Sequence, residues 1–88
     1  MITSALGQQI RAVLNEGGTL PVDATTLGDS DDLYAVGLTS HATVNLMLGL
    51  EERFDVEFPD RLLRRRTFES VAAIGAAVTE LLASKKAA

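Results

Sequence analysis

Cysteine is absent from the 88-residue chain, which excludes disulfides and thiolate metal ligands. Any thiol chemistry would have to come from a group added to the protein. Aromatic residues are scarce: Tyr34, Phe54, Phe58 and Phe68 are all there are. A core built with so few of them is aliphatic, which favours packed helices over a sandwich of sheets. Basic residues are outnumbered, eight Lys and Arg against twelve Asp and Glu, for a net charge of −4. Nucleic-acid binders normally carry a basic surface, so that class is disfavoured, and an acidic chain suits a partner with a basic face, approached under electrostatic steering. No apolar run approaches membrane-spanning length. The N-terminus has neither the basic region nor the apolar stretch of a signal peptide, and a cytoplasmic location is expected.

Hydrophobic residues make up 47% of the chain, too many for a disordered protein, and the length suits one small domain. The domain is expected over 1–83, with 84–88 a flexible C-terminal tail. Ile2, Leu6, Ile10, Val13 and Leu14 recur at helical spacing, which predicts a first amphipathic helix, stopped by Gly17-Gly18. The connection over 17–39 is long enough to be functional, and its leucines predict a loop packed on the helices. A second helix is predicted over 40–54, capped by Thr39, with Val44, Met47, Leu48 and Phe54 facing inward. Gly49 in its middle costs about 1 kcal/mol relative to Ala and predicts a close neighbour there. Residues 55–58 read as extended, and Pro59-Asp60 opens a short helical turn reaching about residue 65. Thr67 is expected to cap a last helix, with Val71, Ile74, Val78 and Leu81 along one face and Ala72, Ala73, Ala76 and Ala77 allowing close packing. The sum is an all-α, four-helix (three long, one short) up-and-down bundle with a long first loop.

Several residue groups invite chemistry. Ser40 opens the second helix, where a hydroxyl is most often an ordinary helix-start group. His41 beside it suggests a nucleophile and base, but neighbours at i and i+1 do not share a helix face and no third group orients the imidazole. A surface position near Ser40 fits His41 better than catalysis. Asp29, Asp31 and Asp32 suggest a calcium loop, yet the sixth and twelfth positions, which want Gly and Glu, are Tyr34 and Ser40; solvating acids are the simpler reading. Arg61, Arg64, Arg65 and Arg66 hold half of the basic residues within six positions. They form either a docking patch or a solvated turn neutralised by Asp55, Glu57, Asp60 and Glu69. Leu38, Val44, Met47 and Leu62 either fill the core or line a cavity. Paired carboxylates, metal ligands and an oriented base are all missing, so an enzyme is the least supported class.

The stretch Asp32-Leu33-x-x-x-Gly37-Leu38-x-Ser40, followed by residues 50–60 and by Thr67-Phe68-Glu69-Ser70-Val71, resembles the acyl and peptidyl carrier proteins over nearly the whole chain. The resemblance implies a non-catalytic, monomeric carrier. Ser40 would receive 4′-phosphopantetheine from coenzyme A through a phosphopantetheinyl transferase, and the arm's thiol would hold an acyl or aminoacyl group as a thioester. A loading ligase and a downstream enzyme that uses the cargo would be its other partners. Carriers of fatty acid synthesis usually have Asp before the serine, a large apolar residue after it and an acid-rich second helix. Here the flanking residues are Thr39 and His41, and residues 40–50 hold no acid. That helix looks more like those of D-alanyl carriers and of small carriers charged by amino acid ligases, so an amino acid is the expected cargo. Thr39, His41, Arg64 and Arg65 are the candidate partner contacts. The alternative is a small helical interaction module without a prosthetic group.

Overall fold

The computed structural model describes residues 4–87. Three α-helices, α1 (Ser4–Glu16), α2 (Ser40–Phe54) and α3 (Val71–Ala87), are joined by segments carrying 3-10 turns at Ala24–Thr26, Asp60–Leu62 and Arg65–Phe68. No strand occurs among the described residues. Helix α1 buries Ile10, Val13 and Leu14, with Leu6 half-buried; Ile2 lies outside the described residues. The helix ends in a Schellman motif: Gly18, at φ 60°, donates to Asn15 O and Thr19 donates to Leu14 O, the left-handed stop that glycine provides.

The connection from α1 to α2 packs on the helices as expected, burying Ala24, Leu33 and Leu38. Asp23 organises its first part, accepting from the Thr25 hydroxyl and N–H and from the Asn15 amide. These bonds, Thr25's first, hold the Asp23 carboxyl below the usual carboxylate range. The second part is tied to the start of α3, with Leu33 N–H donating to Glu69 O and Ala72 N–H to Asp29 O. Gly37 turns the chain toward α2 at φ 117°, and a Cβ there would sit 2.8 Å from Pro21.

Helix α3 places Val71, Ile74, Ala77, Val78 and Leu81 in the core, whereas Ala76 is exposed. Helix α2 has the predicted bounds but a different rotation. Its buried residues are Leu46 and Leu50, with Met47 and Phe54 partly covered, while Val44 and Leu48 are 52% and 53% exposed. Residues 44–50 are apolar around most of the helix, so two stripes competed. The close approach of α1 selected one: a Cβ on Gly49 would lie 2.9 Å from Val13 Cγ1.

The short fourth helix does not form. Two 3-10 turns take its place, with i→i+3 bonds from Leu62 N–H to Pro59 O and from Leu63 N–H to Asp60 O. A helix nucleus is too costly for so short a run, and 3-10 turns serve such connectors. Thr67 is buried in the second of these turns. The group that caps α3 is Ser70, whose Oγ accepts from Ala73 N–H at 3.0 Å. Helix α3 continues over 84–87 of the segment expected to be a tail, residue 88 lying outside the described residues, and Lys85 Nζ meets both the Asp55 carbonyl and carboxylate.

Candidate functional site

Ser40 is exposed at the first turn of α2. Thr39 before it is extended and acts as the N-cap, its Oγ1 accepting from Ala42 N–H at 3.0 Å. The Thr39 carbonyl in turn accepts from the Thr43 N–H and hydroxyl. The capping task is therefore already filled, and the Ser40 hydroxyl makes no hydrogen bond among the described residues. It stands on a rigid helix end, beside backbone N–H groups that lack intrahelical acceptors and carry the positive end of the helix dipole. A phosphate ester on that oxygen would sit where an anion is favoured.

Beside Ser40 lies an open groove of about 340 Å³, walled by Thr43, Val44 and Met47 of α2, by Leu63, Arg64, Arg65 and Phe68 of the following connection, and by Tyr34. Of the candidate partner contacts, it gathers Arg64 and Arg65 with Ser40. Thr39 and His41 are exposed on the helix end but do not line it. Arg65 lies over the Tyr34 ring, its Cζ 3.9 Å from the centroid, and Tyr34 OH donates to Arg65 O at 3.0 Å. This pair joins the two loops across one end of the groove. Sequence reasoning missed Tyr34, Leu63 and Phe68 as lining; Tyr34 lies inside the stretch that leads to Ser40, which was the available signal. Leu38 and Leu62 went to the core and its margin, and Val44 and Met47 to the groove.

The Asp29–Asp32 acids are bound into the loop. Asp29 pairs with Arg11 at 2.6 Å, Asp31 accepts from Gly28 N–H, and Asp32 accepts from Tyr34 N–H. No group of three or more metal-ligating side chains occurs among the described residues. Arg61 pairs with Glu80, which is none of the acids expected to neutralise the arginine run. Among the described residues no helix is long and apolar enough to cross a membrane.

A rigid three-helix scaffold that presents one uncommitted hydroxyl at a helix start is the architecture of a prosthetic-group carrier. The chain belongs to the family described as the phosphopantetheine attachment site, whose sequence pattern matches residues 8–78. It is a carrier protein with 4′-phosphopantetheine as its prosthetic group, a substrate of partner enzymes and not a catalyst. The aminoacyl carrier protein of Agrobacterium fabrum (strain C58 / ATCC 33970) is 52% identical over 79 residues, spanning 90% of this chain and 95% of that protein. Among solved structures, the fold matches the crystal structure of an engineered Bradyrhizobium japonicum glycine:carrier protein ligase complexed with carrier protein from Agrobacterium tumefaciens and ATP. The TM-score is 0.81 at 49% identity, over 85% of this chain and 97% of the matched one. It also matches the Bradyrhizobium japonicum ligase complexed with glycylated carrier protein, at TM-score 0.72 and 30% identity, over 84% and 99%.

Proposed function

We propose that this protein carries an aminoacyl group, glycine or another small amino acid, as a thioester on phosphopantetheine joined to Ser40. The observation that carries the reading is the exposed, unbonded Ser40 hydroxyl at the start of α2, left free because Thr39 serves as the cap. On modification the Ser40 oxygen gives up its proton and becomes an ester oxygen of a phosphodiester, while the nucleotide half of coenzyme A leaves. When bound, the group supplies a terminal thiol, which this cysteine-free chain lacks. The protein's own residues do the rest: α2 holds the attachment point rigidly, its first-turn N–H groups favour the phosphate charge, and the groove beside Ser40 offers the arm an apolar wall. Tethering raises the effective concentration of the cargo at each partner's active site.

The aminoacyl cargo is supported by the 52% identical aminoacyl carrier protein and by the likeness to carriers crystallised with a glycine:carrier protein ligase. The acid-free start of α2 agrees with it, since fatty-acid enzymes rely on acids there. The working partners are then a phosphopantetheinyl transferase, an aminoacyl-loading ligase and a downstream enzyme that takes the amino acid, acting on a monomeric carrier in the cytoplasm. Thr39 and His41, exposed on either side of Ser40, are first contacts for the transferase.

Incubation with coenzyme A and a broad-specificity phosphopantetheinyl transferase, followed by intact-mass measurement, tests the attachment point. The expected result is one phosphopantetheine increment that disappears in Ser40→Ala, with stability changed by less than about 0.5 kcal/mol. An increment that persists in Ser40→Ala moves the attachment elsewhere; no increment with several transferases returns the chain to a plain interaction module. Glycine and ATP with a glycine:carrier protein ligase then test the cargo.

A further inference from the structure

The cations of this chain are divided by chemistry as well as by position. Six are arginines, and Lys85 and Lys86 are the only lysines. Both lysines lie in the last turn of α3. Lys85 Nζ meets the Asp55 carbonyl at 2.9 Å and its carboxylate at 2.6 Å. Asp55 is the C-cap of α2, at the opposite end of that 15-residue helix from Ser40, about 22 Å away by helical rise. The Lys85 amine is therefore distant from Ser40, and as an ion-paired ammonium it has no lone pair to offer.

Near Ser40 the cations are Arg64, Arg65 and Arg66, three successive exposed residues. Charge pairing does not demand arginine there. The ion pairs among the described residues are Arg11–Asp29, Arg53–Glu16, Arg61–Glu80 and Lys85–Asp55, and none includes these three. Arg64 donates through Nε to Arg61 O, and Arg65 lies over the Tyr34 ring. Arg66 has neither an ion pair nor a ring contact among the described residues, so a lysine would serve there equally well as a charge. What a lysine would add is a nucleophile. A guanidinium stays protonated at any working pH, whereas a small fraction of a lysine amine is always neutral. The groove wall is equally inert. The Tyr34 and Thr43 hydroxyls donate to the Arg65 and Thr39 carbonyls. Apart from Ser40 and the two arginines, the other lining side chains carry no amine, thiol or hydroxyl.

We propose that the surface around Ser40 is cleared of acyl acceptors, and that arginine at 64–66 keeps positive charge there without an amine that would capture the cargo. The inference rests on the reading of the chain as a thioester carrier and assigns its arginine and lysine placement a protective role. In the reaction avoided, a neutral lysine Nζ attacks the thioester carbonyl and the C–S bond breaks. The sulfur leaves as a thiolate and takes up the proton that the nitrogen loses. The acyl group would end as a stable amide on the carrier, lost to every partner. Tethering makes such a step intramolecular and raises its effective concentration, so one badly placed amine is enough. His41 stands at the root of the arm, outside the groove, and an imidazole forms no lasting amide.

The test charges the intact chain in one step from glycyl-coenzyme A with a broad-specificity phosphopantetheinyl transferase, and confirms the increment by mass. After incubation, hydroxylamine removes thioester-bound glycine and leaves any amide. The unaltered protein should retain almost no glycine. Arg64→Lys and Arg65→Lys should each retain about tenfold more per thioester formed, mapped by peptide mass to the substituted position. Their yield should rise by about tenfold per pH unit between roughly pH 7 and 9, as the neutral amine grows. It should be independent of protein concentration, as an intramolecular step requires. Arg65→Lys gives up the planar stacking on Tyr34; Arg64→Lys keeps it and carries the test alone. Retention in the variants no greater than in the unaltered protein overturns the inference while the carrier reading stands. Equal, substantial retention in all three overturns it as well, since the native chain would then offer an acceptor of its own. Failure of the unaltered protein to take the glycyl-phosphopantetheine increment overturns both.

Discussion

Helices α2 and α3 are close in length, 15 and 17 residues, yet they stand in the fold in opposite ways. Helix α3 inserts Val71, Ile74, Ala77, Val78 and Leu81 into the core, whereas α2 fully buries only Leu46 and Leu50, packs Met47 and Phe54 at the core's margin, and leaves Val44 and Leu48 about half exposed. The apolar content of α2 is ample for a deeper seat, so its exposed residues are surplus to folding. One helix holds the domain together; the other presents Ser40, the proposed attachment point, and an apolar face open to solvent. An exposed apolar patch on a small protein is a signal of interaction, and here it lies on the helix that begins at Ser40.

Truncation is the sharpest way to break this contrast. Ile74→Ala should destabilise the domain by about 2–5 kcal/mol in urea unfolding, because Ile74 is fully buried and its loss leaves a cavity. Thr39→Ala should cost about 1 kcal/mol by removing the bond to Ala42 N–H, and phosphopantetheine transfer should slow as the first turn of α2 frays. Leu48→Ala should stay within about 0.5 kcal/mol of the unaltered protein; a loss as large as that of Ile74→Ala would erase the distinction between the two helices.

The smallest effect concerns the Lys85–Asp55 contact, which joins the far ends of α2 and α3. The hydrogen bond from Lys85, and then its charge, hold the Asp55 carboxyl below its usual value of 3.8. A carboxyl depressed on folding contributes stability above its unfolded value and loses it as pH falls through the folded one. The melting-temperature difference between the unaltered protein and Lys85→Ala should therefore shrink as pH drops below about 4. Both groups are exposed, so the difference is small at any pH; one that grew on acidification would disprove the linkage.

Much of this was legible in the chain. The bounds of α2 and its Thr39 cap follow from a polar residue placed just before an apolar run, a local arrangement with a local cause. The inward face of α3 follows from 3.6-residue spacing, and alanines on its other positions left only one stripe that could be buried. Gly49 correctly announced the close approach of Val13. The rotation of α2 was not legible, because Val44, Leu46, Met47, Leu48 and Leu50 serve two faces equally well. Nor was the segment over 59–70. The choice there between a fourth helix and two 3-10 turns, and between Thr67 and Ser70 as the cap of α3, depends on where the core receives Thr67 and Phe68. Pairing was hidden for the same reason: Arg61 found Glu80 and Arg65 found Tyr34, across distances in sequence that no local rule spans.

By itself, then, the sequence determined the helical class and the approximate positions of α1 to α3, and it singled out the Ser40 hydroxyl now proposed to carry the prosthetic group. Each of these rests on short-range chemistry: helical period, caps and glycine stops. Tertiary packing decided which side of α2 faces water, which residues wall the groove beside Ser40, and which arginines are left without an acid. Those outcomes turn on which of several near-equivalent surfaces finds a partner when the helices meet, a competition settled by shape and burial across the whole domain.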